Sequence, residues 1–283
     1  MPQALNRFVA AGKQTLLVSG THGKTTTASI LAWILDVAGC DPSFMIGGIL
    51  KNFDSNYRLG QGAYLVVEGD EYDTAFFDKG PKFLHFHPQM AVLTGVEFDH
   101  ADIFDDLDHV KKIFKSFVSA LSASSRLIAF DGDQNIAEVT GNHHCRIEHY
   151  GQKATSPWRQ GSVYFEAPWT VFEVFKNNDT FGMFKTKLFG EHNLLNALAD
   201  IAMAEGLNIP VVVIAKALQT FEGIKRRQEI RGCKRDITVM DDFAHHPTAV
   251  RETVRAVKSV ISGGRLIAVF EPRTNTSLSL IHI

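Results

Sequence analysis

Gly20-Thr21-His22-Gly23-Lys24-Thr25 follows the apolar run Leu16-Leu17-Val18 and opens residues 24–38, where Ile30, Leu31, Ile34 and Leu35 recur at helical spacing. Strand, glycines, lysine, hydroxyl residue and helix, in that order, turn backbone N–H groups and a helix N-terminus toward one anionic group. In such a loop Lys24 supplies a point charge for the β- and γ-phosphates of ATP, and Thr25 a hydroxyl for Mg²⁺. The loop departs from the general pattern G-x-x-x-x-G-K-[ST], because Val18 stands where the first glycine falls. A tight turn with a solvated lysine is the competing reading; the coincidence of all the parts favours a phosphate cradle.

Outward from this loop, strands alternate with helices. Tyr64-Leu65-Val66-Val67 reads as a strand running into Glu68-Gly69-Asp70-Glu71-Tyr72-Asp73, and residues 90–93 as another running into Glu97-Phe98-Asp99-His100. A helix over 107–121 and a strand over 126–130 follow. The alternation predicts an α/β fold: a P-loop-type, mostly parallel sheet flanked by helices, in which ligands gather beyond the carboxyl ends of the strands. The loop, Glu68 and His100 all fall at such ends. From 141 to 185 the pattern changes to short aromatic-rich alternating pieces, read as antiparallel hairpins added to the sheet. Helical periodicity returns over 193–205 and 211–218. A strand–helix–strand unit (237–240, 247–260, 265–270) then reads as the start of a Rossmann-like domain, with a boundary near Gly223.

The composition is 45% hydrophobic and 21% charged with a formal net charge of -2, which gives no basic field for nucleic acid. Cys40, Cys145 and Cys233 are far apart and without CxxC spacing, so a disulfide framework or a thiolate zinc site is not expected. The N-terminus has no signal-peptide pattern and no apolar run reaches the ~20 residues of a membrane helix, so a soluble, cytoplasmic protein is expected.

Each polar cluster has a bland reading beside the functional one. Glu68, ending a strand, is a Mg²⁺ ligand or a surface acid, and His100 a weak metal partner or a structural histidine. His85-x-His87 has zinc-like spacing if it lies on a strand, and His143-His144-Cys145 with His149 is metal-like in a loop; neither has a complete ligand set, and both are read as structural. Asn193 reads an adenine edge or caps a helix. Asp241 and Asp242 receive ribose hydroxyls or cap the helix that follows.

Taken together, five motifs in order resemble the Mur ligase family of ATP-dependent amide-forming enzymes of peptidoglycan synthesis: G-T-H-G-K-T-T-T (20–27), V-V-E-G-D-E-Y-D (66–73), E-F-D-H-A-D (97–102), G-E-H-N-L-L-N-A-L-A (190–199) and D-D-F-A-H-H-P-T (241–248). The stretches E-Y-D-T-A-F-F-D-K (71–79), E-F-D-H-A-D-I-F-D-D (97–106) and E-P-R-T-N-T (271–276) look like the branch that joins UDP-N-acetylmuramate to L-alanyl-γ-D-glutamyl-meso-diaminopimelate in peptidoglycan recycling. The alternative is the branch that adds L-alanine to the same nucleotide sugar.

The resemblance implies attack of a lactyl carboxylate on the γ-phosphate of ATP, then displacement of phosphate from the acyl phosphate by the peptide amine, with the protein positioning groups and neutralising charge. It implies that Gly20, Thr21, His22, Gly23, Lys24, Thr25 and Thr26 cradle the phosphates, with Lys24, Glu68 and His100 as the catalytic set. Thr25 and Glu68 would hold one Mg²⁺ and His100 would help hold a second. His192 and Asn196 would contact adenine, Asp242 the ribose, and Arg227 the phosphates, while Arg273 and Asn275 would meet the peptide. Many family members also carry a carbamylated lysine; Lys111, Lys112 and Lys115 follow His100, and none can be matched to it. The resemblance assigns residues 1–223 to the central ATP-binding domain and 224–277 to the start of the C-terminal domain, with no sugar-binding domain ahead of them. Residues 278–283 depart from the family pattern and read as a translated sequencing adapter. With the first domain absent and the third cut short, a nucleotide-binding module that does not ligate is the competing expectation.

Overall fold

The computed structural model describes residues 2–75, 78–261 and 263–272. A short helix α1 (Pro2–Phe8) precedes β1 (Gln14–Ser19), the phosphate loop and α2 (Lys24–Val37). The chain then forms β2 (Ser43–Leu50), β3 (Ser55–Arg58), β4 (Tyr64–Gly69), a small hairpin of β5 (Asp73–Ala75) and β6 (Asp78–Pro81), and β7 (Met90–Leu93). After α3 (Leu107–Ala120) come β8 (Arg126–Phe130), α4 (Gln134–Thr140), β9 (Arg146–Gly151), β10 (Trp158–Glu166), β11 (Trp169–Lys176) and β12 (Asp179–Thr186). The helices α5 (Glu191–Gly206) and α6 (Val211–Thr220) lead to β13 (Glu229–Lys234), β14 (Ile237–Asp241) and α7 (Pro247–Val260).

The main sheet runs β12-β11-β10-β9-β8-β7-β1-β4-β2-β3. Strands β2, β4, β1, β7, β8 and β9 are parallel, and β10–β12 continue the sheet as antiparallel hairpins. Strand β1 lies between β4 and β7, with Val18 beside Glu68 and Ser19 beside Leu93. The chain order reverses about β1, and the crevice at such a reversal is where parallel sheets bind ligands.

Both faces of the sheet are covered, so its central strands are continuous apolar runs. Leu16, Val18, Val66, Val92 and Ile128 point to one face and pack under α2, α5 and α6. Leu17, Leu65, Val67, Ala91 and Leu93 point to the other, with Phe83, Phe114 and Phe117. Helix α3 presents Val110, Phe114, Phe117 and Val118 to that layer, and Asp106 caps it by accepting the His109 N–H.

Several expectations change. Helix α2 is buried on nearly all sides, not along one stripe, because it is enclosed by the sheet, α5 and α6. Residues 146–151, expected among hairpins or loop, form β9 parallel to β8, so His149 lies on a strand. β10 also joins β9 in parallel before turning into the hairpins. His85 ends a 3-10 turn (Lys82–His85), so the His85-x-His87 spacing does not put two rings on one strand face. β14 pairs antiparallel with β13. Residues 265–270 form no strand, and Ile267 and Val269 are exposed; without a neighbouring strand among the described residues, an apolar run has no ladder to join.

Candidate active site at the phosphate loop

The loop between β1 and α2 is pressed between two neighbours, and both glycines answer to that. Gly20 has φ +126, and a Cβ there would lie 2.8 Å from the Gly95 backbone nitrogen and 2.3 Å from Thr94 Oγ1. Gly23 precedes α2 with φ +83, and a Cβ would lie 2.6 Å from Asn196 Oδ1. The strand-end loop after β7 closes one side and α5 the other.

Lys24, in the first turn of α2, folds back over the loop. Its Nζ donates to the Gly20 carbonyl at 2.6 Å and to Glu71 Oε2 at 2.9 Å. The pair is buried, with Glu71 only 2% exposed. Burial alone would lower the Lys24 ammonium, but Glu71, then Asp70 and Glu68, outweigh it and hold its pKa above the ordinary lysine value. Thr25 Oγ1 donates to Glu68 Oε2 at 3.2 Å, and the Gly47 N–H to Oε1 at 2.6 Å. Burial pushes the Glu68 carboxyl above its usual range, against those two hydrogen bonds and Lys24. A desolvated carboxylate beside a threonine hydroxyl is the donor set a hard divalent cation satisfies. His100 sits at a positive φ of 56, its ring 4.7 Å from that of Tyr72 and its Nε2 3.9 Å from Glu71 Oε1.

The opposite wall comes from α5 and the segment beyond Gly223. His192 is held neutral at pH 7: burial lowers its pKa, only partly offset by Glu252 and Asp242. Its Nδ1 is buried and makes no hydrogen bond. Arg227 Cζ lies 5.2 Å from the Phe243 ring centre; burial lowers its pKa while Asp242 and Glu68 raise it. Asp242 does not cap α7. It accepts the N–H of Gln228 at 2.8 Å and of Ala244 at 2.7 Å, and His246 is the cap, accepting the Thr248 N–H. Asn193 is no cap either: Gly190 precedes α5, and Asn193 Nδ2 bridges the Phe189 carbonyl and Gln228 Oε1.

A cleft of about 660 Å³ gathers these groups. Thr21, His22, Gly23, Lys24, Thr25 and Thr26 line it from the loop, Glu68 and His100 from the neighbouring strand ends. His192, Asn196, Arg227 and Asp242 line it from the far side. Gly20 lies beneath as backbone support. Arg273, Asn275 and residues 278–283 lie outside the described residues. Lys111 pairs with Glu138 at 2.8 Å, and Lys111, Lys112 and Lys115 do not line the cleft.

Sequence reasoning passed over Glu71, the counter-charge of Lys24, although it stands in the acidic cluster after β4. It also passed over Glu97, which lies 3.4 Å from His22 and accepts the Thr248 hydroxyl at 2.8 Å. His22 and Thr248 outweigh partial burial and bring Glu97 down to about 2. The signal for both was a carboxylate two or four residues past a buried parallel strand.

The fold and cleft define a phosphate-loop α/β protein with a nucleotide-sized site at the reversal of its sheet. The Mur ligase middle-domain pattern matches residues 18–204, and the pattern of the Mur ligase glutamate ligase domain matches 226–281. The chain belongs to the Mur ligase family. It is 41% identical over 276 residues to the UDP-N-acetylmuramate--L-alanyl-gamma-D-glutamyl-meso-2,6-diaminoheptandioate ligase of Escherichia coli, covering 97% of this chain and 60% of that one. The murein peptide ligase structure from Psychrobacter arcticus superposes with a TM-score of 0.75 at 35% identity, over 97% of this chain and 61% of that one. The UDP-N-acetylmuramate-alanine ligase of Thermotoga maritima gives 0.77 at 27%, over 92% and 56%. The chain thus spans about three-fifths of the length of these curated tripeptide ligases. No helix among the described residues is long and apolar enough to cross a membrane.

Proposed function

We propose that this chain carries the ATP-binding, acyl-phosphate-forming centre of a cytoplasmic ligase that joins UDP-N-acetylmuramate to L-alanyl-γ-D-glutamyl-meso-diaminopimelate. The observation that carries the reading is the meeting of Lys24, Thr25, Glu68 and His100 at the carboxyl ends of three adjacent parallel strands. The tripeptide branch is favoured over the L-alanine branch by identity: 41% to the E. coli tripeptide ligase against 36% to the L-alanine ligase of Clostridium tetani.

Lys24 exchanges Glu71 for a phosphate and steadies the group in transfer. Thr25 and Glu68 would hold Mg²⁺ and His100 would help hold a second, and the ions would supply positive charge against the phosphates. The loop N–H groups from Gly20 to Thr26 orient the phosphates. His192 and Asn196 face adenine, Asp242 the ribose, and Arg227 reaches the phosphates from across the cleft. Arg273 and Asn275 are assigned to the peptide. We place the division between central and C-terminal parts near Gly223, with 224–277 belonging to the latter.

The test measures phosphate release and the ligated product with ATP, Mg²⁺ and UDP-N-acetylmuramate, offering tripeptide or L-alanine, on this chain and on the protein at the full length of its relatives. We expect nucleotide binding by this chain and ligation of tripeptide in preference to L-alanine by the longer protein. Preference for L-alanine would overturn the branch assignment, and a Lys24→Ala protein that binds ATP as well as wild type would overturn the site.

A further inference from the structure

In the lining of the cleft, three side chains from three separate parts of the chain converge on one point. His22 belongs to the phosphate loop, Glu97 to the strand-end loop after β7, and His246 to the turn that caps α7. His22 Nε2 lies 3.4 Å and His246 Nδ1 3.8 Å from Glu97 Oε2, and the three donor atoms lie within 4.8 Å of one another. Tetrahedral ligands about 2.0–2.2 Å from a zinc ion stand about 3.3–3.6 Å apart, so small side-chain shifts bring these atoms to bonding distance. It is the one such group of three or more ligand-type side chains among the described residues.

The surroundings are those of metal-ligating histidines. His246 Nε2 faces the Phe98 carbonyl at 3.1 Å, which sets the proton on Nε2 and leaves the Nδ1 lone pair turned to the cluster. Only the Thr248 N–H, at 3.3 Å, competes for that lone pair. His246 is 8% exposed, and burial and His22 keep it neutral at pH 7. Glu97 is oriented by the Thr248 hydroxyl at 2.8 Å. His22 Nε2 is buried, points at this space and makes no hydrogen bond there. Two imidazoles and one carboxylate suit zinc or a like transition metal and are a poor set for Mg²⁺, which prefers oxygen.

We propose that His22, Glu97 and His246 form a zinc-class site, separate from the Mg²⁺ ligands Thr25, Glu68 and His100, whose ion clasps the phosphate loop to the start of α7. A fourth position is left to water. The ion would restrain α7 against the loop and tune the opening of the cleft.

The test titrates the whole chain with Zn²⁺ against a chromophoric chelator in excess Mg²⁺, and follows thermal unfolding with and without Zn²⁺. We expect one zinc per chain, binding weakened in His22→Ala and in Glu97→Gln by at least the ~10–100-fold that losing even an outer-shell partner costs, and a zinc-dependent rise in Tm that both variants lose. His245→Ala, altering the histidine next door, should bind as wild type does. Co²⁺ in place of Zn²⁺ should give visible absorption bands that disappear in His22→Ala. No saturable zinc binding by wild type, displacement of zinc by Mg²⁺, or equal binding in wild type, His22→Ala and Glu97→Gln would overturn the site. Circular dichroism shows whether each variant is folded, and the two substitutions at separate positions keep the test decisive should one fail to fold.

Discussion

Lys24 and Glu71 are joined while almost shut from water, and that pairing sets what the loop can do. A buried ammonium without a counter-charge is costly, and Glu71 supplies that charge at 2.9 Å. A triphosphate offers the same charge, so on the proposed function nucleotide and Glu71 would compete for Lys24. Glu71→Gln removes the competitor and leaves Lys24 with the Gly20 carbonyl and the more distant Asp70 and Glu68. We expect this variant to lose about 1–3 kcal/mol of stability in urea unfolding. We also expect ATP to raise its midpoint by more than it raises that of wild type. Equal shifts would mean that Lys24 keeps Glu71 in the bound state. Glu71 was hard to see in sequence because four acids crowd residues 68–73, and only the packing shows which one lies under the lysine.

At the scale of elements, α5 does two things. Its first two turns present His192 and Asn196 to the cleft, and its middle is packed under the sheet. There Asp200 is fully buried, and neither carboxyl oxygen has a hydrogen-bond partner. Burial raises its pKa well above the usual value, so folding favours the protonated carboxyl. The sign follows from linkage: below the ordinary carboxyl pKa of 3.8 both states are protonated and Asp200 adds no pH dependence. As pH rises from there toward the folded-state pKa, the unfolded chain alone ionises, and stability falls. Asp200→Ala lifts that penalty. We expect its Tm to exceed that of wild type at pH 8 by more than at pH 4, by a few degrees for each ~1 kcal/mol recovered. A gain independent of pH would place the benefit in helix propensity. The elements themselves were unevenly legible. β1, β4, β7 and β8 are unbroken apolar runs because both their faces are buried, and α3 and α7 carry clear helical periodicity. β2 was missed because Gly47 and Gly48 interrupt it, although the Gly47 N–H is what binds Glu68. β9 was masked by its polar residues Arg146, Glu148 and His149, since Glu148 is satisfied by Arg126 and Trp158.

For the whole molecule, the decisive fact is that the cleft has two walls from distant parts of the chain. The phosphate loop and the ends of β4 and β7 form one, and residues 223–228 and 242–253 form much of the other. Contacts already tie the far wall to the rest: Thr248 to Glu97 across the cleft and, from the end of β2, Lys51 to Glu229 and a bridge from Leu50 to Ile224. On the proposed function, a nucleotide that fills this space would bond to both walls and stabilise them in proportion to its saturation. Hydrogen exchange with saturating ATP and Mg²⁺ should therefore slow in residues 20–27 and also in 224–228 and 242–253. Arg227→Ala separates the two effects. The loop N–H groups still hold the phosphates, so protection of 20–27 persists at raised ATP, while protection of 224–228 and 242–253 falls toward the nucleotide-free level. Protection confined to the loop in wild type would mean that the far wall does not meet the nucleotide, and would remove Arg227 and Asp242 from the site. Protection of both walls that survives Arg227→Ala would leave Asp242 and His192 as the groups that join them.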